Sequence, residues 1–274
     1  MENKPAQEAE KRWLLLQLWG LDTPITALCW SVACAALMQI TMITAGPLLL
    51  VSVSVWFAVI FFRLSDALKN GQAWQGDFYR SNLAPLVLLL FGVGMATVWM
   101  LFFRVGRNVL DYAWLPLLLL LAGRTLRRIR LQSVGLLMQS TAFAMFCALP
   151  SFYFSFSLSP LHMLTTGPVW YLGILFFLTA RERERLRAGR AASQEAVVST
   201  ITLLMLLTAT LISSVTAPMF ERTLCVTVAI GAGCLQGFSR ISHLLPHHVA
   251  LALSWLTMAL PAALGIILYA PRSW

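Results

Sequence analysis

The polar segment that follows the second apolar stretch contains the most informative spacing of chemically active side chains. Arg63, Asp66 and Asn70 are three and four residues apart, so a helix would present all three on one face. A carboxylate and an amide oxygen on one face can hold Mg²⁺, which usually takes one or two carboxylates together with substrate phosphates. The spacing therefore predicts a metal and phosphate site. The alternative is an Arg63–Asp66 pair that ends the helix in water.

Four more side chains could act on the same ligand. Asp77 and Arg80 follow in the same polar segment, and Arg124 and Arg128 belong to a basic run between the fourth and fifth apolar stretches. Arginine suits a diphosphate because its planar guanidinium donates paired, charge-assisted hydrogen bonds to phosphate oxygens. Anchoring at a membrane surface is the simpler explanation for most of the arginines.

The elements that must position these residues are membrane helices. The chain is 59% hydrophobic and 11% charged, with a mean hydropathy of +0.76, which is too apolar for a soluble domain. Nine apolar stretches approach the length of about 20 residues that a helix needs to cross the hydrocarbon core. They are residues 25–45, 48–62, 85–103, 110–121, 134–154, 161–180, 197–217, 224–238 and 249–270. We therefore expect an all-α integral membrane protein with nine transmembrane helices in a single bundle.

The positions of the lysines and arginines predict the orientation. Sixteen of the 20 fall in alternate polar segments, and Arg104, Arg107, Arg222 and Arg272 lie in the others. Loops that stay in the cytoplasm hold the Lys and Arg residues, so we expect the N-terminus in the cytoplasm and the C-terminus outside. The cytoplasmic segments would be residues 1–24, 63–83, 123–132, 181–196 and 239–248.

The net charge of +9 does not indicate nucleic-acid binding, because the basic residues form no continuous face of groove size. Anionic lipid headgroups or a phosphorylated lipid substrate fit short basic loops better. Residues 1–24 are typical of a cytoplasmic tail with an interfacial helix rather than of a signal peptide, and residues 25–274 of one transmembrane domain. We expect the protein in the inner (cytoplasmic) membrane of a bacterium.

Other polar and sulfur-bearing residues have structural explanations. Asp22 opens the first stretch as a helix cap. The five cysteines all lie inside apolar stretches without a C-x-x-C pair, which is typical of small buried side chains. His243, His247 and His248 precede the last stretch, but Pro246 interrupts the group, so an interfacial loop is a better interpretation than a metal site.

Several segments resemble the UbiA superfamily of intramembrane prenyltransferases. Residues 21–25, Leu-Asp-Thr-Pro-Ile, are similar to the family's L-D-R-P-I-like entry to the first span. Residues 63–70 fall where the family has its first aspartate-rich motif, N-D-x-x-D-x-x-x-D, and Arg80 stands where an arginine often follows it. Residues 124–135 resemble the family's basic stretch and Q-x-x-L-G entry to the fifth span. With its nine spans, the segment 25–274 would be a UbiA-like transmembrane domain.

The resemblance implies an enzyme that transfers an isoprenoid from its diphosphate to a lipid or aromatic acceptor. Asp66, Asn70 and Asp77 would then be the catalytic residues, and Asp66 and Asn70 would hold Mg²⁺. Four arginines would bind the isoprenoid diphosphate: Arg63, Arg80, Arg124 and Arg128.

The chain departs from the family in both of its aspartate-rich motifs. Phe62 and Arg63 replace the N-D pair of the first motif, and Asn70 replaces its last aspartate. Residues 181–184, Arg-Glu-Arg-Glu, stand in place of the second motif, D-x-x-x-D. The alternative function is therefore a catalytically degenerate UbiA-like protein that serves as a lipid-binding or scaffold subunit of a membrane complex. A solute carrier is a weaker alternative, because the apolar stretches hold almost no charge that could mark an ion path.

Overall fold

The computed structural model describes residues 19–41, 43–70, 76–105, 109–129, 131–155, 165–187, 194–216, 218–245 and 247–271. Within these ranges the regular structure is entirely helical. The helices are α1 (Asp22–Leu37), α2 (Ala45–Asn70), α3 (Gly76–Ser81), α4 (Leu83–Met100), α5 (Leu110–Arg128), α6 (Gln132–Phe154), α7 (Gly167–Arg187), α8 (Gln194–Thr216), α9 (Met219–Ile241) and α10 (His247–Tyr269). A π-helical turn, Leu101–Val105, continues α4, and a 3₁₀ turn, Ser242–Leu244, follows α9.

Five segments of the described chain are long and apolar enough to cross a bilayer. They are Ala45–Leu68, Leu83–Phe103, Gln132–Phe154, Val197–Thr216 and Glu221–Leu244. The segments of α4 and α8 are mostly exposed along their length, as expected of helices that face lipid, because lipid tails are themselves an apolar solvent. The protein is therefore an all-helical membrane protein, as the sequence predicts.

The count of nine membrane crossings and the orientation stay predictions. Each of the nine predicted stretches overlaps one helix of at least 16 residues in the described chain. Of the helices that fall outside the five segments, α1 has 16 residues, about 24 Å at 1.5 Å per residue. Both α5 and α7 end in charged turns, which lower their hydropathy.

Three segments that carry polar candidate residues continue the helices instead of forming loops. Residues 63–70 are the last two turns of α2, residues 124–128 end α5, and residues 181–187 end α7. Basic side chains suit these positions, because the carboxyl end of a helix carries the negative pole of its dipole. The helical geometry predicted for residues 63–70 is confirmed.

The chain divides into two compact units. The first contains Met1–Leu28 and Thr44–Val109, and the second contains Cys29–Ile43 and Leu110–Trp274. The predicted division into a tail, residues 1–24, and a domain, residues 25–274, stays a prediction, and residues 1–18 lie outside the described chain.

A buried cluster holds α2, α3 and α4 together in the first unit. Ile60, Leu64 and Ala67 of α2 pack with Tyr79 of α3 and Leu86 of α4. Each of these side chains is less than one-tenth exposed, so the cluster removes a large apolar area from its surroundings. The short helix α3 is thereby fixed against the carboxyl-terminal turns of α2.

The second unit contains a close helical hairpin formed by α5 and α6. A Cβ built on Gly123 would stand 2.7 Å from the carbonyl oxygen of Gly135, and a Cβ on Gly135 would stand 2.5 Å from the carbonyl oxygen of Gly123. Only glycine allows the two backbones to approach this closely. The glycine that closes the Q-x-x-L-G-like segment therefore has a packing role at the start of α6.

A buried tryptophan links the second half of α1 to α10. The Nε1–H of Trp30 donates a hydrogen bond to the carbonyl oxygen of Met258 at 3.0 Å. Pro261 lies one turn further along α10, and proline weakens the backbone ladder of the preceding turn because it has no N–H and its ring displaces nearby carbonyls. The hydrogen bond therefore gives the buried indole N–H an acceptor in the turn before the proline.

Candidate functional site

An ion pair between α1 and α2 is the central feature of the polar end of the first unit. Arg63 Nη2 lies 3.6 Å from Asp22 Oδ1. The side chain of Asp22 is 7% exposed and that of Arg63 is 22% exposed, so the pair is largely withdrawn from water. Sequence reasoning considered Asp66 as a partner for Arg63 and missed Asp22. A carboxylate and an arginine about 40 residues apart leave no signal in local spacing.

The turn before α1 is shaped to admit the Arg63 side chain. Gly20 has a φ of +65°, a conformation that glycine adopts without the steric cost that other residues meet. A Cβ at this position would lie 3.0 Å from Val59 Cγ1 and 3.4 Å from Arg63 Nη1. The indole N–H of Trp56 donates a hydrogen bond to the carbonyl oxygen of Trp19 at 3.0 Å, which fixes the same turn against α2.

Asp22 stands at the start of α1, as the sequence predicts. The hydroxyl of Thr26 donates a hydrogen bond to the Asp22 carbonyl oxygen at 2.8 Å, and the hydroxyl of Ser52 donates one to the Pro24 carbonyl oxygen at 3.1 Å. A carboxylate in the first turn of a helix is stabilised by the helix dipole. Asp22 therefore has two roles: its carboxylate interacts with the dipole of α1, and it forms an ion pair with Arg63.

Asp66 and Arg80 lie on exposed faces beside the buried cluster of the first unit. Both side chains are exposed. Asp66 lies between Leu64 and Ala67, and Arg80 follows Tyr79; all three of these neighbours belong to the cluster that joins α2 to α3. The packing of apolar neighbours therefore brings the two candidate residues to the same end of the unit.

For two of the predicted site residues, the structure describes the position in a helix but not the side chain. Asn70 is the last residue of α2 and Asp77 is the second residue of α3, but their side chains lie outside the described part of the structure. Asp66 is therefore the one predicted oxygen ligand for Mg²⁺ whose side chain is described. The described residues contain no group of three or more His, Cys, Asp or Glu side chains that could hold a metal ion.

The remaining predicted arginines belong to the second unit, at the carboxyl end of α5. Arg128 is exposed and Arg124 is half-buried. Between them, Arg127 Nη1 donates a hydrogen bond to Gln139 Oε1 of α6 at 3.1 Å. Arg127 Nη2 also lies 3.3 Å from Glu184 Oε1 of α7. Arg127, which the sequence did not single out, connects three helices.

The charged run that stands in place of the second motif forms ordered contacts. Glu182 is 7% exposed, and its Oε1 accepts a hydrogen bond from Arg185 Nη2 at 2.5 Å. Arg185 Nη2 also lies 3.3 Å from the hydroxyl oxygen of Ser242, in the turn after α9. The Arg181 guanidinium carbon lies 5.7 Å from the centre of the Phe177 ring, within the range of a cation–π interaction. An alternating run of arginine and glutamate is typical of a helix whose charges pair with each other in solvent; Glu182 does pair within the run, but it is buried.

Glu182 also lines a small pocket between three helices of the second unit. Ser199 and Thr200 of α8 and Gln236 and Ser239 of α9 supply polar side chains to the same pocket. These side chains offer hydroxyl and amide groups beside a carboxylate, but the pocket has room for about one water molecule.

The described residues at the polar end of the first unit include cationic side chains that suit an anion and one carboxylate that suits a metal ion. Arg80 provides an exposed positive charge in the first unit and Asp66 an exposed carboxylate, while the charge of Arg63 is balanced by Asp22. Comparison of the chain with protein-family models, with curated proteins and with solved structures finds no match.

Proposed function

We propose that this chain is a UbiA-like intramembrane prenyltransferase, which transfers an isoprenoid from its diphosphate to a lipid or aromatic acceptor. The proposal includes nine membrane crossings with the N-terminus in the cytoplasm. Under this orientation, the carboxyl ends of α2, α5 and α7 face the cytoplasm, where a soluble diphosphate headgroup is accessible.

The single observation that carries the proposal is the Asp22–Arg63 ion pair. Two of the segments that resemble the family, residues 21–25 and 63–70, are about 40 residues apart in sequence. Asp22 of the first and Arg63 of the second lie 3.6 Å apart in one unit. The contact brings the two segments to one end of the first unit, which supports a shared site there, although Arg63 itself stands where the family motif has the aspartate of its N-D pair. The backbones at Gly123 and Gly135 approach so closely that neither position admits a Cβ. Packing therefore explains the glycine at the end of residues 124–135, the third segment that resembles the family.

The proposed roles follow from the chemistry of each group. In the first unit, Arg80 attracts the diphosphate and Arg63 adds hydrogen-bond donors; the resemblance implies the same role for Arg124 and Arg128, which belong to the second unit. Asp66 fits Mg²⁺, because an exposed carboxylate with substrate phosphates is the ligand set that this ion prefers; Asn70 would add an amide oxygen. Bound Mg²⁺ would neutralise the charge that develops on the departing diphosphate. Asp22 holds Arg63 in place, and Asp77 assists from α3.

A second candidate function is favoured by the contacts of the charged run on α7. Glu184 pairs with Arg127, and Arg185 contacts both Glu182 and Ser242. These groups connect α5, α7 and the turn after α9, which is a structural role. A UbiA-like protein that has kept the fold as a lipid-binding or scaffold subunit of a membrane complex would use the run in this way.

The experiment that separates the two candidates is binding of an isoprenoid diphosphate to the purified full-length chain, with and without Mg²⁺. A prenyltransferase binds it in a metal-dependent manner through Asp66. A scaffold subunit gives no metal-dependent binding, while its fold and its membrane insertion are unchanged.

A further inference from the structure

One end of the second unit exposes basic and apolar side chains next to each other. Arg128 is exposed at the carboxyl end of α5, and the turn that follows it exposes Ile129 and Leu131, which are 69% and 51% accessible. Exposed aliphatic side chains at a helix turn are costly in water. They are stable where they can enter the acyl-chain boundary of a bilayer.

A second turn of the same unit has the same composition. Arg240 is exposed in the last turn of α9, and the 3₁₀ turn that follows exposes His243 and Leu244. The Leu244 side chain is 73% accessible. Arginine and histidine can donate hydrogen bonds to phosphate oxygens, while leucine provides an apolar anchor.

The end of α7 ties these two turns together. Arg127, next to Arg128, lies 3.3 Å from Glu184, and Arg185 lies 3.3 Å from Ser242, the first residue of the 3₁₀ turn. The two turns therefore flank the carboxyl end of α7. We define the headgroup surface as Arg128, Ile129, Leu131, Arg240, His243 and Leu244.

The headgroup surface lies at the boundary of two membrane segments. The segment Gln132–Phe154 begins immediately after Leu131, and the segment Glu221–Leu244 ends at Leu244. Residues at the ends of spanning helices stand at the level of the lipid headgroups. The basic and apolar groups are thus placed where phosphates and the first acyl carbons meet.

We propose that the headgroup surface binds an anionic phospholipid. Arginines near a bilayer surface each attract anionic lipid, and the exposed aliphatic side chains insert beside them. A soluble phosphate compound would satisfy the arginines but would leave Ile129 and Leu244 in water. A diacyl lipid satisfies both groups, so a lipid rather than a free anion is the occupant. The surface does not depend on the prenyltransferase proposal.

Native mass spectrometry of the detergent-purified full chain tests this inference with dioctanoyl phosphatidylglycerol and dioctanoyl phosphatidylcholine as probes. The chain is expected to bind the anionic lipid more tightly than the zwitterionic one. Arg240→Gln is expected to weaken phosphatidylglycerol binding about fivefold, because one arginine at a bilayer surface contributes about 1 kcal/mol. Arg240 is chosen because Arg128 is also a candidate for the diphosphate.

The matched control is Arg222→Gln at the amino end of α9; because the Arg222 guanidinium already donates hydrogen bonds to the carbonyl oxygens of Ser214 and Val215, its removal is expected to change the lipid preference by less than about twofold. The Ile129→Ser/Leu244→Ser variant keeps every charge and is expected to weaken the binding of both lipids. Equal affinity of the wild type for the two lipids would overturn the proposal. So would equal losses in Arg240→Gln and Arg222→Gln, or displacement of the lipid by glycerol phosphate at equal concentration.

Discussion

Asp22 Oδ1 and Arg63 Nη2 lie 3.6 Å apart and connect the first turn of α1 to the polar end of α2. The carboxylate is almost completely buried, and the guanidinium is mostly so. A charge in such a place is tolerated only with a partner. The pair therefore fixes the position of the start of α1 against the carboxyl-terminal turns of α2. Asp66 lies one helical turn after the ion-paired Arg63.

Removing both partners of this pair should cost less stability than the two single removals added together. Asp22→Asn or Arg63→Gln breaks this ion pair and keeps the other charge, and we expect a loss of roughly 1–3 kcal/mol, less than for a fully buried pair because Arg63 is partly exposed. The double variant should be more stable than the sum of the single losses predicts. Unfolding of the four proteins in mixed micelles measures the coupling, and additive losses would show that the contact is not energetically significant.

Gly20→Ala should destabilise the first unit. The alanine would have to adopt a φ of +65°, and its Cβ would stand 3.0 Å from Val59 Cγ1, so we expect a loss of about 1–3 kcal/mol. Gly92→Ala is the matched control, since a Cβ there meets nothing within 4 Å and helix propensity favours alanine. Thermal midpoints of the two variants should therefore shift in opposite directions; a similar decrease in both would contradict the role of Gly20.

Glu182 and Glu184 should differ in their contributions to stability. Glu182→Gln leaves Arg185 beside an uncharged side chain in a buried place, and we expect a loss of about 1–3 kcal/mol. Glu184→Gln breaks an exposed pair and should cost about 0–1 kcal/mol. Unfolding at low and high salt checks the comparison, because salt screens the exposed pair more strongly. Equal losses would mean that burial of Glu182 has no energetic consequence.

The proposed orientation predicts which residues a membrane-impermeant maleimide can reach. Thr125 and Thr216 are both exposed near the carboxyl ends of their helices, α5 and α8. In a chain whose own cysteines are replaced by alanine, Thr216→Cys should react in intact cells, and Thr125→Cys should react only after lysis. The reverse result would invert the topology, and reaction of both in intact cells would remove the N-inside assignment.

Local patterns predict the helices well and their contacts poorly. Hydropathy is a property of consecutive residues, so the apolar stretches and the helical segment 63–70 could be read directly. The Asp22–Arg63 pair depends on the register of two helices, which spacing within one segment cannot supply. Glu182 lies in an alternating charged run that is typical of a solvated helix, and only the packing of α8 and α9 around it makes it buried.

The most direct test of the proposed function is equilibrium binding of farnesyl diphosphate to the purified chain, with and without Mg²⁺. We expect metal-dependent binding in the wild type. Asp66→Asn should weaken it roughly tenfold to more than a hundredfold, as expected for a lost charge-assisted contact of about 1.5–3 kcal/mol. Asp111→Asn removes an exposed carboxylate from the first turn of α5 and should leave the affinity unchanged. Absence of Mg²⁺-dependent binding in the wild type, or equal losses in the two variants, would contradict a prenyltransferase site at Asp66.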